Sequence, residues 1–367
     1  MKGGMERIGV VDCAGRDVGA VSEKSENISL ATDLLRKGGV VAFPTETVYG
    51  LGADAANPQA LLRIFKLKKR PLDHPLIIHI GDAGRLNYWA SRITDDAWRL
   101  AELFWPGPLT LILPRRIHVL TLVTGGQEAV GLRVPDHPVA LALLRSLGEE
   151  KGLAAPSANR FGRVSPTTAD HVRTELGDGV DMILDGGPCR VGLESTIVGF
   201  TGAAPVLLRP GGIPAELLED SLGCKLERPA ASPPEIRASG CLPSHYAPST
   251  PLEVWSAGTL WQRAEALSVQ GKRVAILEMD MEPPPESCQQ FHFPMPTGAK
   301  AYGRALYATL RAADSGGFDL ILAQMPPQTT AWQAVDDRLR RAATLYCPGA
   351  PLPPFPSRSG KPAIPAK

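Results

Sequence analysis

The sequence predicts an α/β protein built as two units, and three observations carry that reading. Short apolar runs alternate with longer stretches whose apolar residues recur at helical spacing. Polar side chains repeatedly sit where the apolar runs stop, which is where an open α/β sheet presents its ligand site. The pattern lapses between Leu226 and Pro251, a stretch punctuated by Pro229, Pro233, Pro234, Pro243, Pro248 and Pro251, and then resumes. At 367 residues the chain is long for one domain and comfortable for two.

In chain order, Ile8 to Asp12 reads as a short edge strand in a weakly patterned start, with Met5 an alternative initiator. Ser29 to Arg36 reads as a helix closed by Gly38-Gly39, and Val40 to Phe43 as a buried strand stopped by Pro44. Thr45, Glu46 and Thr47 follow, then Gly50 and Gly52, read as a close turn or a ligand approach. Asn57-Pro58 is an N-cap with proline at the first helical position, opening a helix that ends in Lys68-Lys69-Arg70-Pro71. Strands are expected over Pro75–Ile80, Leu109–Leu113, Val130–Val134 and Met182–Asp185, with Ser195–Phe200 and Pro205–Arg209 as a closing pair. Helices are expected over Ala83–Trp89, Ile93–Phe104, His137–Leu147 and Thr168–Leu176, and from Pro214 to Leu218. Past the linker, Leu252–Trp255, Arg273–Leu277 and Asp319–Leu322 read as strands, and Ala299–Ala313 and Trp332–Tyr346 as helices. The tail from Pro348 is proline-rich and reads as disordered.

Bulk properties narrow the function classes. A net charge of +1 gives no global field for nucleic acid. Cys13, Cys189, Cys224, Cys241, Cys288 and Cys347 are scattered with no CxxC pair, which argues against structural zinc and for a reducing compartment. No apolar run approaches a membrane span and no signal-peptide core opens the chain, so a soluble cytoplasmic protein is expected.

Four polar clusters carry the chemistry. Lys68-Lys69-Arg70 ends a helix, where a basic run often only complements the dipole, yet Pro71 turns the chain so that Lys68 or Arg70 can reach toward Thr45 and Thr47. Arg133 ends an otherwise apolar strand and needs an anion, either a protein carboxylate or one from a substrate. Pro156-Ser157-Ala158-Asn159 and Ser165-Pro166-Thr167 offer hydroxyls and an amide near a helix start, suited to phosphate oxygens or to capping. Glu194-Ser195-Thr196 precedes Arg209, which repeats the logic of Arg133. Together they outline a site for a polyanion such as a nucleoside triphosphate. Ser157 has no partner for a nucleophilic triad, and neither a P-loop nor a dinucleotide fingerprint is present.

These residues also carry a resemblance. PTETVYGLG, KKRPLDHPLIIHI, LRVPDHP, APSANRFGRVSPTTADHV, GLESTIVGF and LLRPGGI, in this order, resemble the threonylcarbamoyl-AMP synthase (Sua5/YrdC/YwlC) family over about Ser25 to Glu219. Ser244-His245-Tyr246-Ala247-Pro248 is similar to the linker of its long members, and Asp337 to Ala343 resembles the last helix of their C-terminal domain. The resemblance implies a YrdC-like twisted mixed sheet with an open concave site over 25–222. A linker or lid over 226–251, a smaller Rossmann-like Sua5 C-terminal domain over 252–347 and a disordered tail over 348–367 follow. It further implies condensation of L-threonine, bicarbonate and ATP, with Mg2+ on the ATP and no zinc, haem or nicotinamide. The product, threonylcarbamoyl-adenylate, passes to a tRNA threonylcarbamoyltransferase complex that makes t6A at position 37 of ANN-reading tRNAs, with at most weak tRNA contact and no membrane partner. By matched position, Thr47, His79, Arg133, Ala155 and Ser195 fall at the threonine site. Arg70, His74, Ser157, Ser165, Arg209 and Tyr246 fall at the ATP site, and Thr45, Lys68, Asn159 and Thr196 lie near it. His74 stands where the family commonly has asparagine, an expected source of pH sensitivity near neutrality. Two rivals fit less well. An RNA-binding module lacks interleaved basic and aromatic residues, and a hydrogenase-maturation carbamoyltransferase would carry zinc-finger-like cysteine pairs.

Overall fold

The computed structural model describes residues 10–12, 18–228, 237–240, 245–279 and 291–347. The proline-rich tail, four of the linker prolines (Pro229, Pro233, Pro234, Pro243), Ile8, and Cys13, Cys241 and Cys288 lie outside them.

Among the described residues the first unit holds β1 (Val10–Asp12), α1 (Val18–Arg36), β2 (Val41–Phe43), β3 (Gly50–Asp54), α2 (Pro58–Lys68) and β4 (Ile77–His79). It continues through α3 (Leu86–Trp89), α4 (Asp95–Phe104), β5 (Leu109–Pro114), α5 (Thr121–Thr124), β6 (Ala129–Arg133), α6 (Pro138–Leu147) and β7 (Leu153–Ala154). It ends with α7 (Ala169–Leu176), β8 (Met182–Asp185), β9 (Thr196–Gly199), β10 (Val206–Arg209) and α8 (Ala215–Leu222). These strands form one ten-stranded mixed sheet in the order β1-β8-β2-β3-β7-β4-β6-β5-β9-β10. The second unit holds β11 (Leu252–Trp255), α9 (Ala257–Val269), β12 (Val274–Glu278), β13 (His292–Pro294), α10 (Ala299–Ser315), β14 (Leu320–Gln324), α11 (Gln333–Ala342) and β15 (Leu345–Cys347). Its sheet is all parallel, ordered β13-β12-β14-β11-β15, as in a small Rossmann-like layer.

The register explains how the site is presented. β4 and β6 run parallel with His79 beside Arg133, so two strands deliver both side chains to the same edge. β2 pairs antiparallel with β3, Phe43 opposite Gly50. Gly50 and Gly52 are therefore strand residues rather than a turn, and Gly50 stands at the cavity described below. They are glycines because a Cβ at Gly52 would stand 2.8 Å from the Phe43 ring. Asn57 Oδ1 caps α2 by accepting from the Gln59 and Ala60 amides at 3.1 Å, and Lys69 closes that helix in the left-handed region at φ 52°.

Several boundaries differ from expectation. α1 begins at Val18, well before Ser29 and outside the expected 25–222 unit. The helix expected to run to Tyr346 stops at Ala342, because Thr344 donates its amide to Leu252 O at 2.8 Å and the chain enters the sheet as β15. α9 and β13 are not among the expected elements, although Leu260, Ala264 and Leu267, which α9 buries, recur at helical spacing. The two units share a core. Val48, Val164 and Leu193 of the first pack with Tyr246 and with Val254, Tyr307, Val335 and Leu339. Each such fully buried side chain contributes about 2 kcal/mol.

Candidate active site

A narrow cavity lined largely by polar and charged side chains opens beside the ends of β2, β4, β6 and β9. Of the residues picked from sequence, Thr45, Thr47, Lys68, Arg70, His79, Arg133, Ala155, Ser157, Asn159, Ser195, Arg209 and Tyr246 line it. His74, Ser165 and Thr196 do not line it.

The loop after β2 forms the first wall. Thr45 Oγ1 donates to Val48 O at 2.6 Å and accepts from the Thr47 and Val48 amides, which fixes a tight turn. That turn holds Thr47 Oγ1 where Arg133 Nη2 donates to it at 2.9 Å. The same nitrogen pairs with Glu46 Oε1 at 2.6 Å, and Nε donates to Gly107 O at 3.3 Å. The anion that Arg133 needs is thus first a protein carboxylate. No described residue hydrogen-bonds Nη1, and Arg133 lines the cavity. Sequence reasoning did not single out Glu46. Its signal was a carboxylate directly beside Thr47, in a loop already selected.

The second wall is basic. Lys68, almost wholly buried, donates from Nζ to Ser157 O at 2.6 Å and to Asn159 O. It organises the Ser157–Asn159 loop rather than reaching Thr45 or Thr47. Burial, then the neighbouring Arg70, push its ammonium well below the usual lysine range. Arg70 donates to Pro75 O at 2.8 Å, lies over the Phe161 ring, and is pushed down to about 10, chiefly by burial. Arg209 grips Ser195 from β10, Nε and Nη2 donating to Ser195 O at 3.1 and 2.9 Å. Ser195 Oγ also shares a 2.7 Å hydrogen bond with buried Thr110. Lys68, Arg70 and Arg209 form no ion pair with a described carboxylate, whereas Arg133 is paired with Glu46 and Glu194 with Arg338.

The interdomain segment roofs the cavity. Arg209 Nη1 donates to Ser239 O at 2.7 Å, and Arg70 Nη2 to Ser239 Oγ at 3.4 Å. His245 and Tyr246 are buried against the opening, with Tyr246 at φ 63°. Four buried polar atoms on the lining, His79 Nδ1, Asn159 Oδ1, His245 Nδ1 and Tyr246 Oη, have no partner among the described residues. On a cavity lining, such groups leave room for a polar ligand or ordered water to complete the hydrogen bonding. Burial and then Arg133 push His79 down to about 3, and burial does the same to His245. Both rings are neutral at pH 7.

The three outliers have structural partners. Ser165 Oγ donates to Glu194 Oε1 at 2.7 Å, one layer behind the lining. Thr196 Oγ1 ties Ile213, donating to its carbonyl at 2.7 Å and accepting from its amide at 3.0 Å. His74 packs edge-on against Phe161 at 5.0 Å. Burial, then Arg70, lower its pKa from the ordinary histidine value. Thr168, not Ser157 or Ser165, caps α7. Glu194 lines the cavity while held by Tyr307 and Arg338 of the second unit. Burial alone would raise its carboxyl, but Arg338 and Arg209, with hydrogen bonds from Ser165 and Arg338, outweigh this and hold it at about 2.

The comparisons agree with this geometry. Residues 33–211 match the Sua5/YciO/YrdC family model, described as "Telomere recombination", and residues 213–344 match that of the threonylcarbamoyl-AMP synthase C-terminal domain. Threonylcarbamoyl-AMP synthase of Pyrococcus abyssi is 40% identical over 325 residues, covering 86% of this chain and 94% of the relative. The Bacillus subtilis protein of the same name is 40% identical over 332 residues, covering 88% and 94%. The crystal structure of P. abyssi Sua5 complexed with L-threonine superposes with a TM-score of 0.83 at 36% identity, covering 92% of this chain and 99% of that one. With near-complete coverage of such relatives, and both units matched in order, the chain belongs to the threonylcarbamoyl-AMP synthase family.

Proposed function

We propose that this protein is an L-threonylcarbamoyladenylate synthase, a nucleotidyltransferase that joins L-threonine, bicarbonate and ATP. The observation that carries the reading is a roofed cavity in which Lys68, Arg70 and Arg209 have no carboxylate partner among the described residues, beside the Arg133–Thr47–His79 corner. The names of the relatives and the threonine-bound P. abyssi structure support it. Threonine sits with its carboxylate at Arg133 and its polar groups near Thr47, His79, Ser195 and the Ala155 backbone. Its amine condenses with bicarbonate, losing water, to a carbamate. A carbamate oxygen then attacks the α-phosphorus, the bond to the bridging oxygen breaks, and pyrophosphate leaves with that electron pair. Arg70, Arg209 and Lys68 stabilise the phosphates, with Ser157 and Tyr246 against the nucleotide, Asn159 close by and His74 behind Phe161. Positioning and exclusion of water supply most of the rate, since a free carbamate decomposes in water.

Mg2+ on the triphosphate neutralises phosphate charge. In this reading the nucleotide carries the cation, and Glu46 and Glu194 are each committed to an arginine. The product serves t6A formation at position 37 of ANN-reading tRNAs through a tRNA threonylcarbamoyltransferase complex, in the cytoplasm. No described helix is long and apolar enough to cross a membrane.

The test is pyrophosphate release with each substrate omitted in turn, together with the mass of the nucleotide product. Release that needs all three substrates and yields threonylcarbamoyl-adenylate is expected; release that ignores threonine overturns the reading.

The roof makes a second prediction. Gly240 sits at φ +78°, where a Cβ would fall 2.0 Å from Tyr246 Oη and 2.9 Å from Arg209 Nη1. Gly240→Ala is expected to push the segment off the cavity and weaken ATP binding about tenfold, a cost of about 1–3 kcal/mol. Calorimetric titration with a non-hydrolysable ATP analogue checks this. Unchanged affinity would mean that the roof plays no part in binding.

A further inference from the structure

Glu194 stands where the two units and the interdomain segment meet. Its Oε2 accepts from Tyr307 Oη and Arg338 Nε, each at 2.8 Å, while Oε1 accepts from Ser165. Arg338, from α11, is fully buried and also donates from Nη2 to Pro210 O at 3.0 Å, one residue past Arg209. The Tyr246 ring stacks on Tyr307 at 5.8 Å, and the Arg338 guanidinium lies 5.0 Å from its centre. The Glu194 carbonyl accepts from the Gly212 amide at 3.1 Å, and the next residue is the Ser195 that Arg209 grips. The contact between units is tight. A Cβ on Gly192 would lie 2.5 Å from Arg304 Cα of α10.

Stability does not by itself call for this arrangement. Desolvating a carboxylate and a guanidinium costs several kcal/mol per ion, and well-packed apolar residues in such places are often at least as stable. What the ionic cluster supplies is direction: every loop carrying Ser195, Arg209 or Tyr246 touches Arg338 or Tyr307. We propose that Arg338 and Tyr307 are positioning residues of the synthase site, acting through Glu194 to set Ser165, Ser195 and Arg209. The C-terminal unit is then part of the active site rather than an appended module. This inference rests on the proposed synthase activity for its kinetic readout only.

The test uses the full chain. Tyr307→Phe deletes one hydroxyl, and Arg338→Lys keeps the charge but not the fork that reaches Glu194 and Pro210 together. Each is expected to lower kcat/KM for ATP about tenfold at temperatures well below melting. Each is also expected to speed hydrogen exchange about tenfold at the Gly212 and Thr196 amides, which bond Glu194 O and Pro108 O. Tyr302→Phe, on the same helix, deletes a buried hydroxyl with no partner among the described residues and leaves both readouts unchanged. If Tyr307→Phe and Arg338→Lys lower Tm but leave kcat/KM and both amides at wild-type values, the role is structural and the proposal falls. If the wild-type chain makes no threonylcarbamoyl-adenylate, the functional reading fails alone, and exchange at the two amides still decides the positioning.

Discussion

Arg133→Ala is expected to cost about 3–5 kcal/mol of stability, because it strands Glu46 without its cation at a site where both side chains are at most 5% exposed. It is also expected to weaken threonine binding roughly 10- to 100-fold, the range for hydrogen bonds to a charged group. The two losses are separable. Arg133→Met with Glu46→Gln removes both charges and keeps an amide able to accept from the Asp136 backbone, as Glu46 Oε2 does at 2.9 Å. That double variant recovers most of the stability and none of the threonine affinity. Denaturant unfolding measures the first effect and calorimetric titration of threonine the second. If the double variant binds threonine as the wild type does, Arg133 is only the partner of Glu46, and the substrate carboxylate is held elsewhere.

This pair also marks how far the sequence is legible. An arginine ending the apolar strand Val130–Leu132 announced a buried charge, since such a residue must find an anion. Which anion depends on the β2 loop folding back across the sheet, a contact between residues 46 and 133 with no local signature. The same division runs through the chain. Asn57-Pro58 identified a helix start, because a cap and a proline are local chemistry. Gly50 and Gly52 fit a turn or a ligand approach equally well by sequence; the fold rules out the turn, since both face Phe43 on the paired strand, while Gly50 does line the cavity. For Lys68 and Arg70 the local pattern fits a solvated helix end as well as a reach toward the site, and the fold shows both buried, Lys68 against loop carbonyls. Ser165 and Thr196 were selected as hydroxyls near a ligand, and the motifs containing them do surround the cavity. Their side chains face Glu194 and Ile213, a direction that strand and loop geometry sets and spacing does not. Arg338 and Tyr307 lay beyond reach, since their partner is in the other unit.

Stability is expected to fall steeply as pH drops from 6.5 to 4. His79 and His245 are nearly wholly buried and stay neutral in the folded chain down to about pH 3. Burial is the main cause for each. Arg133 adds to it at His79; around His245, Arg70, Lys68 and Arg209 act against Glu194. Once unfolded, each ring recovers an ordinary pKa of about 6.5. Below that pH the unfolded chain therefore binds protons that the folded chain refuses, so acid favours unfolding, by up to about 1.4 kcal/mol per pH unit per ring. At pH 4.5 the two rings together remove about 5 kcal/mol, a large part of the total for an ordinary domain. His171, less buried and pushed down to about 4, chiefly by burial and then by Arg311, acts in the same direction. Glu194 joins below about pH 4.5, where the unfolded chain takes up a proton that the folded carboxylate refuses until about pH 2. Guanidinium unfolding at half-unit steps from pH 7.5 to 4.5 reads the slope directly. His245→Gln is expected to remove about one proton from that slope whatever it does to stability at pH 7, because the slope counts only titrating groups. A slope unchanged by that substitution would show that His245 titrates alike in both states, and that burial beneath the interdomain segment does not keep its proton off.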